Sequence, residues 1–138
     1  MVVFKDWSDG DVLTAEDLKN GFLKILGFAS GTTSTVINVN KSDSQVMIVA
    51  KGNIYQSNVL YDWNANVSLQ DITQAGTTTL DTTRVGGIGD GGSEKDDFSG
   101  FSLIYLGSLS SEAHTISVTT SGGSLQNVKI MAIEFRNI

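Results

Sequence analysis

The residue types that support catalysis are few in this chain and form no recognised catalytic motif. It has one histidine, His114, and no cysteine. A catalytic histidine needs a nucleophile and a carboxylate aligned with it, and no motif supplies them. The acid pairs Asp9–Asp11 and Asp96–Asp97 do not suggest a glycosidase, because that chemistry needs two carboxylates across a cleft and sequence neighbours point apart. We therefore interpret His114 as structural and expect no enzyme.

The glycine-rich segment 86–97 contains Gly87-x-Gly89-x-x-Gly92, which formally fits the dinucleotide fingerprint. That fingerprint binds pyrophosphate only between a strand and the N-terminus of a helix, whereas this segment continues through acidic residues into a predicted strand. We expect no cofactor and favour a solvated surface loop. The alternative is a Ca²⁺ site, since hard cations prefer clustered oxygen ligands. Its candidate ligands are Asp90, Glu94, Asp96 and Asp97.

Composition limits the classes of partner. The 138 residues suffice for one domain with a core. The formal net charge of −6, with nine scattered Lys and Arg residues, argues against nucleic acid. The N-terminus lacks the apolar core of a signal peptide, and no apolar run approaches the roughly 20 residues of a membrane span. We expect synthesis in the cytoplasm, no membrane insertion and, if the protein acts outside cells, release by a route other than secretion.

Most of the chain shows the period-two pattern of β-strands, with turns at Gly, Asn, Asp and Ser because proline is absent. One turn is predicted at Gly52-Asn53. The predicted strands are 34–39, 45–50, 54–60, 61–72, 77–84, 98–106, 114–120 and 125–135. Seven or eight short strands at near-regular spacing predict a sandwich or jelly roll.

Three predicted strands, 45–50, 101–106 and 128–135, carry apolar side chains on both faces. A simple sandwich buries only one face of each sheet. The second apolar face needs a cover, which in soluble proteins is usually another subunit. This pattern predicts a homo-oligomer.

The N-terminal segment predicts one short helix. Thr14 is the expected N-cap and Gly27 the expected C-terminal stop, which gives a helix from Thr14 to Leu26. Such a helix is marginal alone and must dock on its own domain, on other copies or on a larger assembly. We divide the chain into an attachment or oligomerisation arm, residues 1–28, and a β-domain, residues 29–138. The docking side chains expected in the arm are Trp7, Leu13, Leu18, Phe22 and Ile25.

Two stretches resemble a known family. The pattern Trp7-x-Asp9-Gly10-Asp11-Val12-Leu13-Thr14-Ala15-x-Asp17-Leu18-x-Asn20 is similar to the opening of tailed-bacteriophage virion appendage proteins of the tail-fibre or baseplate type. The stretch from Leu106 to Val118, followed by Ala132-Ile133-Glu134-Phe135, resembles the closing strands of their jelly-roll domains. This chain departs from the family at Ser111-Glu112-Ala113, where a glycine-containing turn is usual.

The resemblance implies an all-β, TNF-like jelly-roll sandwich preceded by the short helix, commonly assembled as a trimer and located in the virion. It implies a structural protein whose arm binds other virion proteins and whose loops attach to a host glycan or protein. Because Trp7 lies in a short polar arm outside the regular β-domain, we expect it to insert into a pocket on the same trimer or on a neighbouring virion protein. The alternatives are a capsid decoration protein that stabilises the head shell, and a carbohydrate-binding module. The module would bind through Tyr61, Trp63 and the 86–97 loop, because exposed aromatic residues on loops commonly anchor ligands.

Overall fold

The computed structural model describes residues 23–39, 45–73 and 76–135, which form eight strands. The strands are β1 (Leu23–Ser30), β2 (Ser34–Asn38), β3 (Gln45–Val59), β4 (Trp63–Asp71), β5 (Thr78–Gly87), β6 (Lys95–Gly107), β7 (Ala113–Thr120) and β8 (Ser124–Phe135). They make two antiparallel four-stranded sheets, ordered β1-β8-β3-β6 and β2-β7-β4-β5. This strand order, with the first and last strands adjacent, is that of a jelly roll. The predicted fold class is confirmed.

The core lies between the two sheets and follows from the alternation of the strands. Ile48 and Ile130 from one sheet, and Ile37 and Leu69 from the other, are completely buried. Burial of one such side chain contributes about 1.5–3 kcal/mol. The described part of the chain contains no helix long and apolar enough to cross a membrane.

The predicted turn at Gly52-Asn53 is wrong, because β3 runs through it for 15 residues. Gly52 pairs with Phe101 and Asn53 with Gly100. A Cβ atom at position 52 would lie 3.0 Å from Phe101 Cζ, so the aromatic ring occupies the place of the missing side chain. The glycine here serves close packing within a strand rather than a reversal.

The predicted helix is wrong over its last four residues. β1 begins at Leu23 and pairs with β8, and a register shift between Ile25 and Gly27 places Gly27 inside the strand. The cross-strand partners of Leu23 and Ile25 are Phe135 and Ile133, and such apolar pairs stabilise a strand over a marginal helix. Residues 23–28, assigned above to the arm, therefore lie in the first sheet. The predictions for Trp7, Leu13, Leu18 and Phe22, and for a helix over 14–22, fall outside the described residues and stay predictions.

At both edges of the β1-β8-β3-β6 sheet, the unpaired backbone of the edge strand is interrupted. At one edge, the Asp81 carboxylate on β5 accepts a hydrogen bond from the Ile104 amide of β6, with Oδ2 2.8 Å from the nitrogen. At the other edge, β1 carries the irregularity between Ile25 and Gly27. These features interrupt the unpaired backbone that an edge strand otherwise presents.

Candidate functional site

The solvent-facing side of the β1-β8-β3-β6 sheet, called here the outer face, carries two consecutive rows of apolar side chains. Residues directly opposite each other on neighbouring strands point to the same side, so the pairing register defines each row. The two apolar rows are Ile25, Ile133, Met47 and Leu106, and Phe28, Met131, Val49 and Ile104. Four of these side chains are between 57% and 68% exposed: Ile25, Phe28, Ile104 and Leu106. The strands with two apolar faces predicted from the sequence are therefore present and form one surface.

The apolar rows form one contiguous surface across all four strands of the sheet. The two rows are about 7 Å apart on strands spaced about 4.8 Å apart, and Leu23 and Phe135 extend them on β1 and β8. The largest exposed apolar patch of a soluble domain is often an interaction site. The patch ends at a polar row in which Lys51 lies opposite Lys129. Neither lysine was singled out by the sequence patterns.

Trp63 and Tyr61, the aromatic residues expected to contact a ligand, have different environments. Trp63 is half-buried against the core, and its Nε1–H donates to Asp97 Oδ2 at 2.7 Å. Tyr61 is 71% exposed. Its neighbour Leu60 accepts a hydrogen bond from the Gly91 amide at 2.8 Å, which holds the glycine-rich loop against the start of β4. The Tyr61 ring is thus available to a ligand, whereas the indole N–H of Trp63 is already hydrogen-bonded to Asp97.

Three of the candidate calcium ligands, Asp90, Asp96 and Asp97, each pair with a different side chain. Asp90 Oδ2 lies 2.9 Å from Lys95 Nζ. The Gly92 amide and Lys95 together lower the pKa of Asp90 to about 2. The Asp96 carboxylate accepts a hydrogen bond from the Tyr55 hydroxyl, which raises the pKa of Tyr55. Asp97 accepts a hydrogen bond from Trp63, and no group of three or more His, Asp or Glu among the described residues is placed to hold a metal ion. The calcium alternative stays a prediction from the sequence.

His114 lies at the start of β7, 3% exposed, in a buried hydrogen-bond cluster. Its Nδ1 is 2.7 Å from Asp71 Oδ2, and its Nε2 is 2.8 Å from the Ser110 carbonyl oxygen. Both partners are hydrogen-bond acceptors, and the ring lies between them. Burial opposes ionisation of Asp71, but hydrogen bonds from Thr73 and His114 outweigh it and lower the pKa of that carboxyl. The histidine thereby ties the end of β4 to the loop before β7, in keeping with its structural interpretation.

A nucleophilic triad uses a serine, a histidine and an aspartate, and these residue types are supplied by Ser110, His114 and Asp71. The hydrogen bond made by the Ser110 hydroxyl, however, differs from that of a triad. The Ser110 hydroxyl lies 3.2 Å from Nε2, yet its proton is directed to Glu112 Oε1 at 2.8 Å. The nearer partner of Nε2 is the Ser110 carbonyl oxygen, at 2.8 Å. The absence of an enzymatic activity remains an expectation from the sequence.

Comparison with family models and with curated protein sequences gives no match. Among solved structures, the chain is similar to the tripod from the baseplate of bacteriophage Tuc2009, at 13% identity and a TM-score of 0.49, over 99% of this chain and 79% of that chain. It is also similar to the Eiger TNF from S. frugiperda, at 14% identity and a TM-score of 0.43, over 75% of this chain and 66% of that one. For murine APRIL the identity is 8% and the TM-score 0.42, over 83% and 95% of the two chains. These are likenesses of fold, and the fold of this chain is established by its own strand order.

Proposed function

We propose that the chain is a non-enzymatic structural protein of a tailed-phage virion, assembled as a homotrimer and displayed as an appendage for host attachment. The observation that carries the proposal is the outer face, where two apolar rows are left exposed on an acidic chain. Water disfavours such a surface in an isolated soluble domain. The resemblance of residues 7–20 to phage appendage proteins supports the virion assignment.

Association through the apolar rows is the simplest way to cover them. Transfer of a side chain such as Leu106 or Phe28 from partial exposure to an interface contributes about 1–2 kcal/mol, in proportion to the area removed from water. Association also costs free energy, because the chains lose translational and rotational freedom. The complex is stabilised by the amount by which the gain from burial exceeds that cost. Head-to-tail contacts between copies close into a ring when the rotation between them is one third of a turn.

Sedimentation velocity on the full chain tests the assembly. The wild-type protein is expected to sediment at three times the 14.7 kDa of one chain. Leu106→Asp is expected to sediment as the single chain, because it puts a charge within the proposed interface. Val36→Asp is the matched control, since Val36 is 57% exposed but lies on β2 in the other sheet. A wild-type protein that stays a single chain at high concentration contradicts the proposal.

The attachment arm is tested in the assembled particle. If Trp7 inserts into a pocket on a neighbouring virion protein, Trp7→Ala reduces incorporation into virions while the purified variant still forms trimers. If the pocket lies on the same trimer, the purified variant loses its trimers as well. The copy number per virion separates the appendage from the capsid decoration protein. An appendage is present in few copies on the tail, whereas a decoration protein is present in many copies on the head, and its removal lowers the resistance of full heads to heat.

A further inference from the structure

The outer face continues beyond the apolar rows into a polar half with a different chemistry. The next row comprises Ser30, Lys129, Lys51 and Ser102. Two residues further along β3 and β6, Asn53 lies opposite Gly100, and two residues beyond those, Tyr55 lies opposite Phe98. Successive rows are about 7 Å apart. The lysines and the aromatic pair therefore flank the Asn53–Gly100 row on either side.

A groove of about 470 Å³ occupies this middle position. Its lining includes Lys51, Lys129, Asn53, Asn127, Gly100 and Ser102. The groove exists because Gly100 has no side chain and because β8 changes register opposite Lys51 and Asn53, where Asn127 adopts a φ of 54°. Its volume lies within the range of pockets that hold small molecules.

Two lysines form one wall of the groove. Like charges directly opposite each other in a sheet are destabilising, and Lys51 and Lys129 form such a pair. No ion pair joins either lysine to an acidic side chain of the described residues. In a chain with only nine Lys and Arg residues and a net charge of −6, this local concentration of positive charge is suited to an anionic ligand group.

An aromatic pair stands beside the opposite wall. The rings of Tyr55 and Phe98 have centroids 5.1 Å apart, and Phe98 is 58% exposed. The hydrogen bond from the Tyr55 hydroxyl to Asp96 holds the first ring in place. An exposed aromatic face packs against the C–H face of a pyranose ring, while the side-chain amides of Asn53 and Asn127 and the Ser102 hydroxyl can pair with sugar hydroxyls.

We propose that this groove binds an acidic saccharide, with the sugar ring against Phe98 and Tyr55, its hydroxyls on the amides, and its carboxylate or phosphate on Lys51 and Lys129. All of these residues belong to one chain, so the site does not depend on the proposed trimer. It is also separate from Tyr61 and Trp63. The shared ligand chemistry is an anionic group carried on a pyranose.

Three sugars that differ only at C6 test the ligand chemistry: glucose, glucuronate and glucose 6-phosphate. Binding is measured on the isotope-labelled full chain by the shifts of backbone amide resonances, with orthophosphate as a fourth probe. We expect glucuronate, glucose 6-phosphate or both to bind roughly tenfold more tightly than glucose, the scale of one charge-assisted hydrogen bond. The shifts should centre on residues 51–55 and 98–102. The stronger of the two acidic sugars identifies the anion as carboxylate or phosphate.

Substitutions in the groove and at matched positions outside it test where the sugar binds. Lys51→Met and Lys129→Met are each expected to weaken acidic-sugar binding roughly tenfold, whereas Arg84→Met, which changes the net charge equally on β5, leaves it unchanged. Phe98→Ser should weaken binding of all sugars, with Tyr61→Ser as its control. Gly100→Val should block the groove, and it is compatible with the fold because a Cβ there meets only ordinary contacts, the nearest at 3.5 Å.

Three results overturn the proposal. The first is the absence of binding by both acidic sugars. The second is equal binding of orthophosphate and glucose 6-phosphate with no effect of Phe98→Ser, which would reduce the groove to an anion site. The third is loss of binding in Tyr61→Ser but not in Gly100→Val, which would place the site on the glycine-rich loop. A well-dispersed amide spectrum of each variant establishes that it is folded.

Discussion

Replacement of Asp71 by alanine should destabilise the fold strongly, although the residue is distant from the proposed interface and groove. Asp71 accepts hydrogen bonds from His114 Nδ1 at 2.7 Å, from the Thr73 amide at 3.1 Å and from the Thr73 hydroxyl. The alanine variant leaves these donors without their acceptor. His114 is 3% exposed, so water does not readily replace the lost partner of its Nδ1.

The expected decrease in the free energy of unfolding follows from the hydrogen-bond donors that Asp71→Ala leaves unpaired. A buried donor without an acceptor costs about 1–3 kcal/mol, and at least two donors, on His114 and Thr73, are affected. We therefore expect Asp71→Ala to lower the free energy of unfolding by roughly 3–4 kcal/mol. Asp71→Asn should cost less, about 1–2 kcal/mol, because its carbonyl oxygen keeps the Thr73 contacts and its amide group stays beside His114 Nδ1.

Stability should also depend on pH through the same carboxyl. Hydrogen bonds from Thr73 and His114 lower the pKa of Asp71 below its ordinary value of 3.8 in the folded chain, despite the opposing effect of burial. A carboxyl with a lowered folded pKa stabilises the fold above its unfolded pKa, and this contribution is lost as the pH falls through the folded pKa. The difference between wild type and Asp71→Asn should therefore shrink as the pH falls below 3.8.

Urea unfolding followed by far-ultraviolet circular dichroism measures these differences, at one fixed protein concentration because association raises apparent stability. Leu106→Asp provides a background in which the proposed assembly does not contribute. A change of less than about 0.5 kcal/mol in the unfolding free energy of Asp71→Ala would refute the structural role of this carboxylate. An asparagine variant as unstable as the alanine variant at neutral pH would refute it equally.

Three further predictions concern the core, a turn and the glycine-rich loop. Ile48→Ala, at a completely buried position, should cost about 2–5 kcal/mol in urea unfolding. Gly123→Ala should lower the free energy of unfolding by about 1–3 kcal/mol, because Gly123 has a φ of 70° and a Cβ there would lie 2.6 Å from Ile54 Cγ2. Gly122→Ala is the control: its Cβ would have only a 3.8 Å contact, so its free energy of unfolding should be close to that of the wild type. In a carboxyl NMR titration Asp90 should titrate at about 2, and Lys95→Ala should raise that value because the ammonium group is one of its causes.

Period-two alternation is enough to locate most strands. Ile116 and Val118 predict a strand over 114–120, and the structure has β7 at Ala113–Thr120, because inward side chains of a sandwich must be apolar at every second position. The glycines mislead where packing overrides their turn preference. Gly52 lies in a strand because Phe101 covers it, and Gly27 lies in a strand because β1 pairs with β8.

The contacts that define the sites are not predictable from local patterns, because they join positions distant in sequence. His114 meets a carboxylate 43 residues away, and Lys51 meets Lys129 only through the register of β3 and β8. Local patterns indicate which residues share a face of one strand, but the order of strands in a sheet decides which strands are neighbours. The sequence pattern of each strand shows that its outer side is apolar. That these sides form one continuous face across four strands follows only from the order of the strands in the sheet.

The hydrogen bond from Ile104 to Asp81 has a consequence for how copies meet. Strand-by-strand growth along an open flank is the path by which β-rich proteins polymerise without limit, and here that flank has an amide already satisfied by a side chain of the opposing sheet. The opposite flank is interrupted at Ile25 and Gly27. In the proposed assembly, contact through the outer face is therefore favoured over strand pairing at these two flanks, which permits particles of fixed stoichiometry.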